Sequence, residues 1–200
     1  MKVQLLNPDN TIYSSNAYLA LGTWSRLEDV NTMIDVGSDL SVFEAIERAP
    51  TGVGKRRVDQ VILTHNHFDH TGNLPEIVKL YHPRVYAFSD GPFVDEILSD
   101  GQFIHIADRM CQIIHAPGHS SDSICIYCQE EGVLFSGDTS LRILSIGGTY
   151  APEFIRTLEL LNSLKIKHLF PGHEYPVKKG ITDMISMTLK NVKTAGLLCF

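Results

Sequence analysis

With 200 residues, 44% hydrophobic and 20% charged, the chain can bury one sizeable core, and no shift in composition divides it. A net charge of -6, with no basic run longer than Lys55-Arg56-Arg57, works against a nucleic-acid partner, whose phosphates call for a basic groove. No apolar run could span a bilayer and the first ten residues lack the apolar centre of a secretion signal, so a single cytoplasmic domain over residues 1–200, away from membranes, is expected.

Short apolar runs rich in β-branched residues predict strands at 3–6, 17–21, 32–36 and 58–64. A helix follows the third of these. Ser41 and Glu44 have the spacing of a capping box, in which each side chain satisfies an orphan backbone N–H, and Pro50 stops the helix. Pro75, Pro92 and Pro152 open further helices, since a first helical turn needs no N–H. Strands are predicted around them at 84–88, 103–106, 112–115, 123–127, 133–136 and 168–170. In the Pro152 helix, Ile155, Leu158, Leu161 and Leu164 form a stripe for packing on a sheet. The last helix is predicted from 182 to about 194. Many strands with few, dispersed helices imply an α/β (α+β) architecture of two mixed sheets back to back, helices outside.

Cys125 and Cys128 make a C-x-x-C, which in other settings is a redox pair or half of a zinc knuckle. Here both lie in one alternating strand, where residues three apart point to opposite faces, so buried reduced thiols are expected, as for Cys111 and Cys199.

The chemistry concentrates in VILTHNHFDHTGN, where His65, His67, Asp69 and His70 follow a strand that reads as buried on both faces. Residues two apart in extended chain point the same way, so His65 and His67 can grip one metal while the turn at Asp69 and His70 presents a second pair. Imidazole and carboxylate groups suit Zn, Fe or Mn. Three later segments repeat the design of a strand running into a small-residue turn with one ligand: His119, Asp138 and His173, each directly after a glycine, Gly118, Gly137 and Gly172. The remaining histidines, His82, His105, His115 and His168, fall outside these motifs.

The series H-x-H-x-D-H followed by single His, Asp and His resembles that of the metallo-β-lactamase superfamily over roughly residues 16–176, and Asn16-x-Tyr18 and Ile34-Asp35-x-Gly37 resemble its opening strands. PGH, SGD and GHEY resemble its glyoxalase II branch most. The resemblance implies a four-layer αββα sandwich with two divalent metals, zinc first among them, at one edge between the sheets. His65, His67 and His119 would hold the first metal, and Asp69, His70 and His173 the second, with Asp138 bridging. On that assignment the inner shell keeps a net positive charge with a bridging hydroxide included, and is poised for an anionic substrate or a developing oxyanion. Asp69 is then the candidate to orient that hydroxide or receive its proton.

The expected reaction is hydrolysis of a small thioester, ester or lactone by a metal-bridging hydroxide. Only 27 residues follow His173, too few for the helical glutathione-binding domain of glyoxalase II, so a glutathione thioester is not the expected substrate. Asp138 stands where true β-lactamases would carry Cys or Ser. The competing expectation is a persulfide dioxygenase, which resembles the same series but uses one iron on the positions of His65, His119 and Asp138. Tyr150 and Tyr175 are placed near the expected mouth as substrate contacts or core-edge covers, and the apolar C-terminus favours a homodimer.

Overall fold

The computed structural model describes residues 1–8 and 13–197, without side chains for the last two. Cys199 and most of the apolar C-terminus lie outside the described residues. One sheet has six strands in chain order: β1 (Lys2–Leu5), β2 (Tyr18–Leu21), β3 (Thr32–Ile34), β4 (Gln60–Ile62), β5 (Arg84–Ala87) and β6 (Glu96–Ile97). The second has five, ordered β11 (His168–Pro171), β10 (Val133–Gly137), β9 (Ile124–Cys128), β8 (Arg109–His115) and β7 (Phe103–Ile106). Both are mixed: β1 to β3 pair antiparallel and β3 to β6 parallel, while β7 to β10 are antiparallel and β11 joins β10 in parallel.

Side-chain alternation sorts the residues into layers. On β2, Tyr18 and Ala20 face the second sheet while Leu19 and Leu21 face outward, and β9 does the same with Ile124, Ile126 and Cys128 against Cys125 and Tyr127. The inner core pairs Ile34 and Ile62 with Ile113, Ile126 and Phe135. Outside the first sheet lie α1 (Ser41–Arg48), through Val42 and Ile46, and α3 (Leu74–Tyr81), through Leu74 and Ile77. Outside the second lie α4 (Pro152–Ser163), through Phe154, Leu158 and Leu161, and α5 (Ile181–Leu197), through Ile181, Ile185 and Val192. The result is the expected αββα sandwich. No helix among the described residues is long and apolar enough to cross a membrane.

Three local expectations change. The Ser41 capping box does not form; Ser41 is already helical, and its N–H donates to Asp39 Oδ1 at 2.7 Å, so the carboxylate two residues upstream takes the capping role. Pro92 opens no helix. A turn there, with Phe93 in the left-handed region at φ 68°, leads into the two-residue β6, whose pairing with β5 outweighs local helix preference. The predicted α4 stripe is rotated: Phe154, Thr157, Leu158 and Leu161 are buried, while Ile155 and Leu164 sit at its flank.

Candidate metal centre

The motif segments converge on one edge of the sandwich. β4 continues through Leu63 and Thr64 into His65 and His67, then into α2 (Phe68–Thr71), a single helical turn that carries Asp69 and His70. His119 follows β8, Asp138 directly follows β10, and His173 lies just beyond β11. Because β10 and β11 run parallel, their two ligands leave at the same end, and the N–H of Gly172 donates to the carbonyl of Gly137 at 2.8 Å.

The seven side chains fall into two groups. His65, His67 and His119 form the first; Asp69, His70, Asp138 and His173 form the second; within each, the ligand atoms lie within 4.8 Å of one another. Asp138 faces both. Its Oδ1 is 3.2 Å from His70 Nε2, and its Oδ2 is 3.4 Å from His173 Nε2 and 3.5 Å from His119 Nε2. Asp69 Oδ2 lies 3.1 Å from His173 Nε2. His82, His105, His115 and His168 enter neither group.

These residues fit a cation. His65 Nε2, Asp69 Oδ2, His70 Nε2, Asp138 Oδ1 and His173 Nε2 are buried without a hydrogen-bond partner among the described residues, whereas buried polar atoms are ordinarily satisfied. These are five of the eight such atoms among the described residues, and together they combine imidazole with carboxylate, a donor set for a divalent transition metal. The second group is the more enclosed, with His70 fully buried, while His67 and His119 keep the first open to solvent.

A supporting layer fixes the ligands. Asp35, buried and in the left-handed region at φ 55°, accepts from Thr64 N and Thr64 Oγ1, both at 2.7 Å, and faces His70 Nδ1 at 2.8 Å. Donation from His70 Nδ1 to that carboxylate leaves Nε2 free for a metal. A non-glycine residue held in this region against its intrinsic cost belongs with a site that depends on its side chain. Asp122 ties the first group together: its Oδ2 accepts from Asn66 N at 3.0 Å, beside His65 and His67, and its Oδ1 from Ser120 Oγ at 2.7 Å, beside His119.

Sequence reasoning misses one residue of the site. Tyr13 stacks on His173 with ring centroids 5.7 Å apart and planes 23° from parallel. The charge of Asp69, that of Asp138 and a hydrogen bond to Asp69 raise the phenol above its ordinary range. The Tyr13 carbonyl accepts from Ser38 Oγ at 2.9 Å, and the nearby Ser15 N–H donates to the Asp69 carbonyl at 3.0 Å, so this stretch is docked on the ligand turn. Nothing in the sequence marks Tyr13, because no periodicity or motif includes it. Of the two tyrosines expected near the mouth, Tyr150 stacks on Phe154 at 5.8 Å as part of the outer packing, and Tyr175 is exposed.

Charge in the centre follows from burial and neighbours. Burial and the adjacent His70 push His65 down to about 4, so it stands neutral at pH 7. Burial also opposes charge on His70, but Asp35 and Asp138 outweigh it and raise the group to about 10 in the metal-free protein. Asp138 is held far below the usual carboxylate range: burial raises it, and the close imidazoles of His173 and His70 more than compensate. The raised His70 stabilises the metal-free fold fully below the ordinary imidazole value of 6.5, and that contribution is lost as pH climbs through about 10. Metal at Nε2 must displace the proton, so metal uptake at pH 7 is expected to release protons and to tighten with rising pH. Titration calorimetry in buffers of different ionisation enthalpy reads this directly; uptake without net proton release would contradict it.

An αββα sandwich with a His/Asp metal-binding group at the edge between its sheets defines a class of metal-binding proteins, and a family model described as "Metallo-beta-lactamase superfamily" matches residues 11–173. The chain belongs to that superfamily. Among curated relatives, it is 29% identical over 167 residues to an atrochrysone carboxyl ACP thioesterase of Aspergillus fumigatus, covering 81% of this chain and 51% of the relative. It is 32% identical over 165 residues to a hydroxyacylglutathione hydrolase of Chromohalobacter salexigens, covering 76% of this chain and 61% of that protein. The chain thus spans about half the length of the first of these and somewhat more of the second. A metallo-beta-lactamase family protein from Thermus thermophilus shares the fold with a TM-score of 0.70 at 20% identity, over 96% of this chain and 79% of the other.

Proposed function

We propose that the chain is a binuclear metal-dependent hydrolase that cleaves a small thioester, with esters and lactones as chemically related substrates. The observation that carries this reading is the division of seven ligands into two adjacent groups with Asp138 facing both. The names of the two relatives, a thioesterase and a hydroxyacylglutathione hydrolase, support hydrolysis, and the first supports a thioester.

Divalent ions held by the two groups, zinc foremost, would lower the pKa of water from about 15.7 toward about 7 and polarise a carbonyl oxygen. The chain's own residues do the rest. Asp69, with Oδ2 aimed into the second group, takes the proton from the attacking water. Asp35 keeps His70 Nδ1 occupied and its ring fixed. Tyr13, above His173 and beside Asp69, offers a hydroxyl to the substrate carbonyl from the solvent side. A persulfide dioxygenase, which resembles the same ligand series, would use His65, His119 and Asp138 alone, so it is the names of the relatives and not the ligands that favour hydrolysis.

Elemental analysis of Zn, Fe and Mn per chain, paired with thioester hydrolysis and oxygen uptake on a persulfide, tests the reading. About two metals per chain with thioester cleavage and no oxygen uptake is expected. One iron with oxygen consumption would replace it with the oxygenase.

A further inference from the structure

A groove of about 380 Å³ opens directly on His119, Asp138 and His173. Thr139 and Ser140 line it near the ligands, Leu141, Val177 and Met184 give it apolar walls, and Arg142 and Glu174 stand at its outer end. It runs on into an open trough of about 800 Å³, which shares Arg142, Glu174 and Val177 and adds Lys178 and Lys179.

The trough gathers three cations against one carboxylate in a chain of net charge -6. Lys178 and Lys179 are exposed and have no carboxylate within 4.0 Å among the described residues. Lys167 borders the next recess together with these two and Asp183, with no ion pair within 4.0 Å among them. Arg142 meets only Glu174, at 3.9 Å, with both side chains more than half exposed, a pairing that an incoming anion displaces at little cost. Most other arginines of the chain are tied to carboxylates, as in Arg48–Glu44 and Arg84–Glu96, whereas among the described lysines only Lys79 and Lys193 are. Cations left unpaired along the exit from a reaction centre form a site for an anion attached to the substrate.

Resting on the hydrolase reading above, we propose that this groove binds the leaving-thiol arm of the substrate and that the arm is a phosphopantetheine. Its sulfur end lies at the ligands, and its uncharged amide-containing chain runs between Leu141, Val177 and Met184 with the Thr139 and Ser140 hydroxyls in reach. Its phosphate meets Arg142, Lys178 and Lys179. Glutathione carries two carboxylates and an ammonium on the two short branches beside its sulfur, whereas the groove between the ligands and Arg142 is lined by hydroxyls and apolar side chains, which suit an arm that is uncharged up to its distant phosphate. In hydrolysis the acyl C–S bond breaks, water supplies the new C–O bond, and the arm leaves as a thiol that takes up one proton.

The test compares pantetheine with 4′-phosphopantetheine, which differ only in the phosphate, on the metal-loaded full-length protein. Titration measures their binding as free thiols, and steady-state kinetics measures hydrolysis of their butyryl thioesters. The phosphorylated form is expected to bind, and to raise kcat/KM, by at least about tenfold, an advantage that shrinks with salt. In the Arg142→Ala/Lys178→Ala/Lys179→Ala variant the ratio should fall to about one. Equal binding of the two thiols by the wild type, a ratio that survives in the variant, or equally tight binding of a short oligoribonucleotide would overturn the assignment. Preferential binding of phosphopantetheine without cleavage of any thioester would remove the hydrolase reading and leave the groove assignment supported. Butyryl-coenzyme A and a butyryl-loaded acyl carrier protein, run side by side, identify which source of the arm is preferred.

Discussion

On the proposed binuclear hydrolase reading, Asp138→Ala is expected to strip the centre of both metals and to lower hydrolysis on the order of a thousandfold or more. Among the described residues Asp138 is the carboxylate that faces both ligand groups, with His70, His119 and His173 nitrogens at 3.2, 3.5 and 3.4 Å. Its removal also leaves three imidazoles facing one another with less negative charge among them, so the remaining residues repel a cation more strongly. A contribution this large is reasonable because bound metal would provide both the activated water and the carbonyl polarisation. His173→Ala, by contrast, should mainly weaken the second metal, since His173 belongs to that group alone. Metal analysis after dialysis distinguishes the two. Two tightly bound metals in Asp138→Ala would disprove the bridging role.

Gly172→Ala is expected to damage the centre nearly as much while adding only one methyl group. A Cβ at Gly172 would sit 2.2 Å from Asp138 Oδ1, 2.8 Å from His70 Cε1 and 3.0 Å from the backbone carbon of Gly137. Two of these neighbours are ligands and the third is backbone, so none can yield without opening the site. Overpacking of this kind costs about 1–3 kcal/mol of stability, and here the displacement falls on the metal-binding atoms themselves. The expected result is a lower melting temperature together with at least about a tenfold loss of metal affinity. Gly91→Ala is the control, because its Cβ would find its nearest neighbour at 3.5 Å, an ordinary contact. Full metal content in Gly172→Ala would show that the turn can relax.

The same glycine shows where sequence reasoning is incomplete. The glycines before His119, Asp138 and His173 all read, in sequence, as sites of backbone freedom. Gly137 does need it, at φ 48°, but Gly172 is excluded from carrying a side chain by space alone. Space of that kind is created by segments distant in the sequence, here the turn after β10 and the histidine of α2, and leaves no local signal.

By itself the sequence determined the alternation of strands and helices, the opposite facing of Cys125 and Cys128, and the seven side chains of the candidate centre with their order. These are local properties: side-chain period, turn residues and ligand spacing depend on neighbours within a few positions. Only the tertiary structure decided that the seven form groups of three and four around Asp138, that Asp35 fastens His70, that Tyr13 covers His173, and that a groove edged by Arg142, Lys178 and Lys179 leads away from the ligands. Those facts join residues tens to more than a hundred positions apart, and it is the packing of two sheets, with parallel strands releasing their ends at one edge, that brings them within bonding distance.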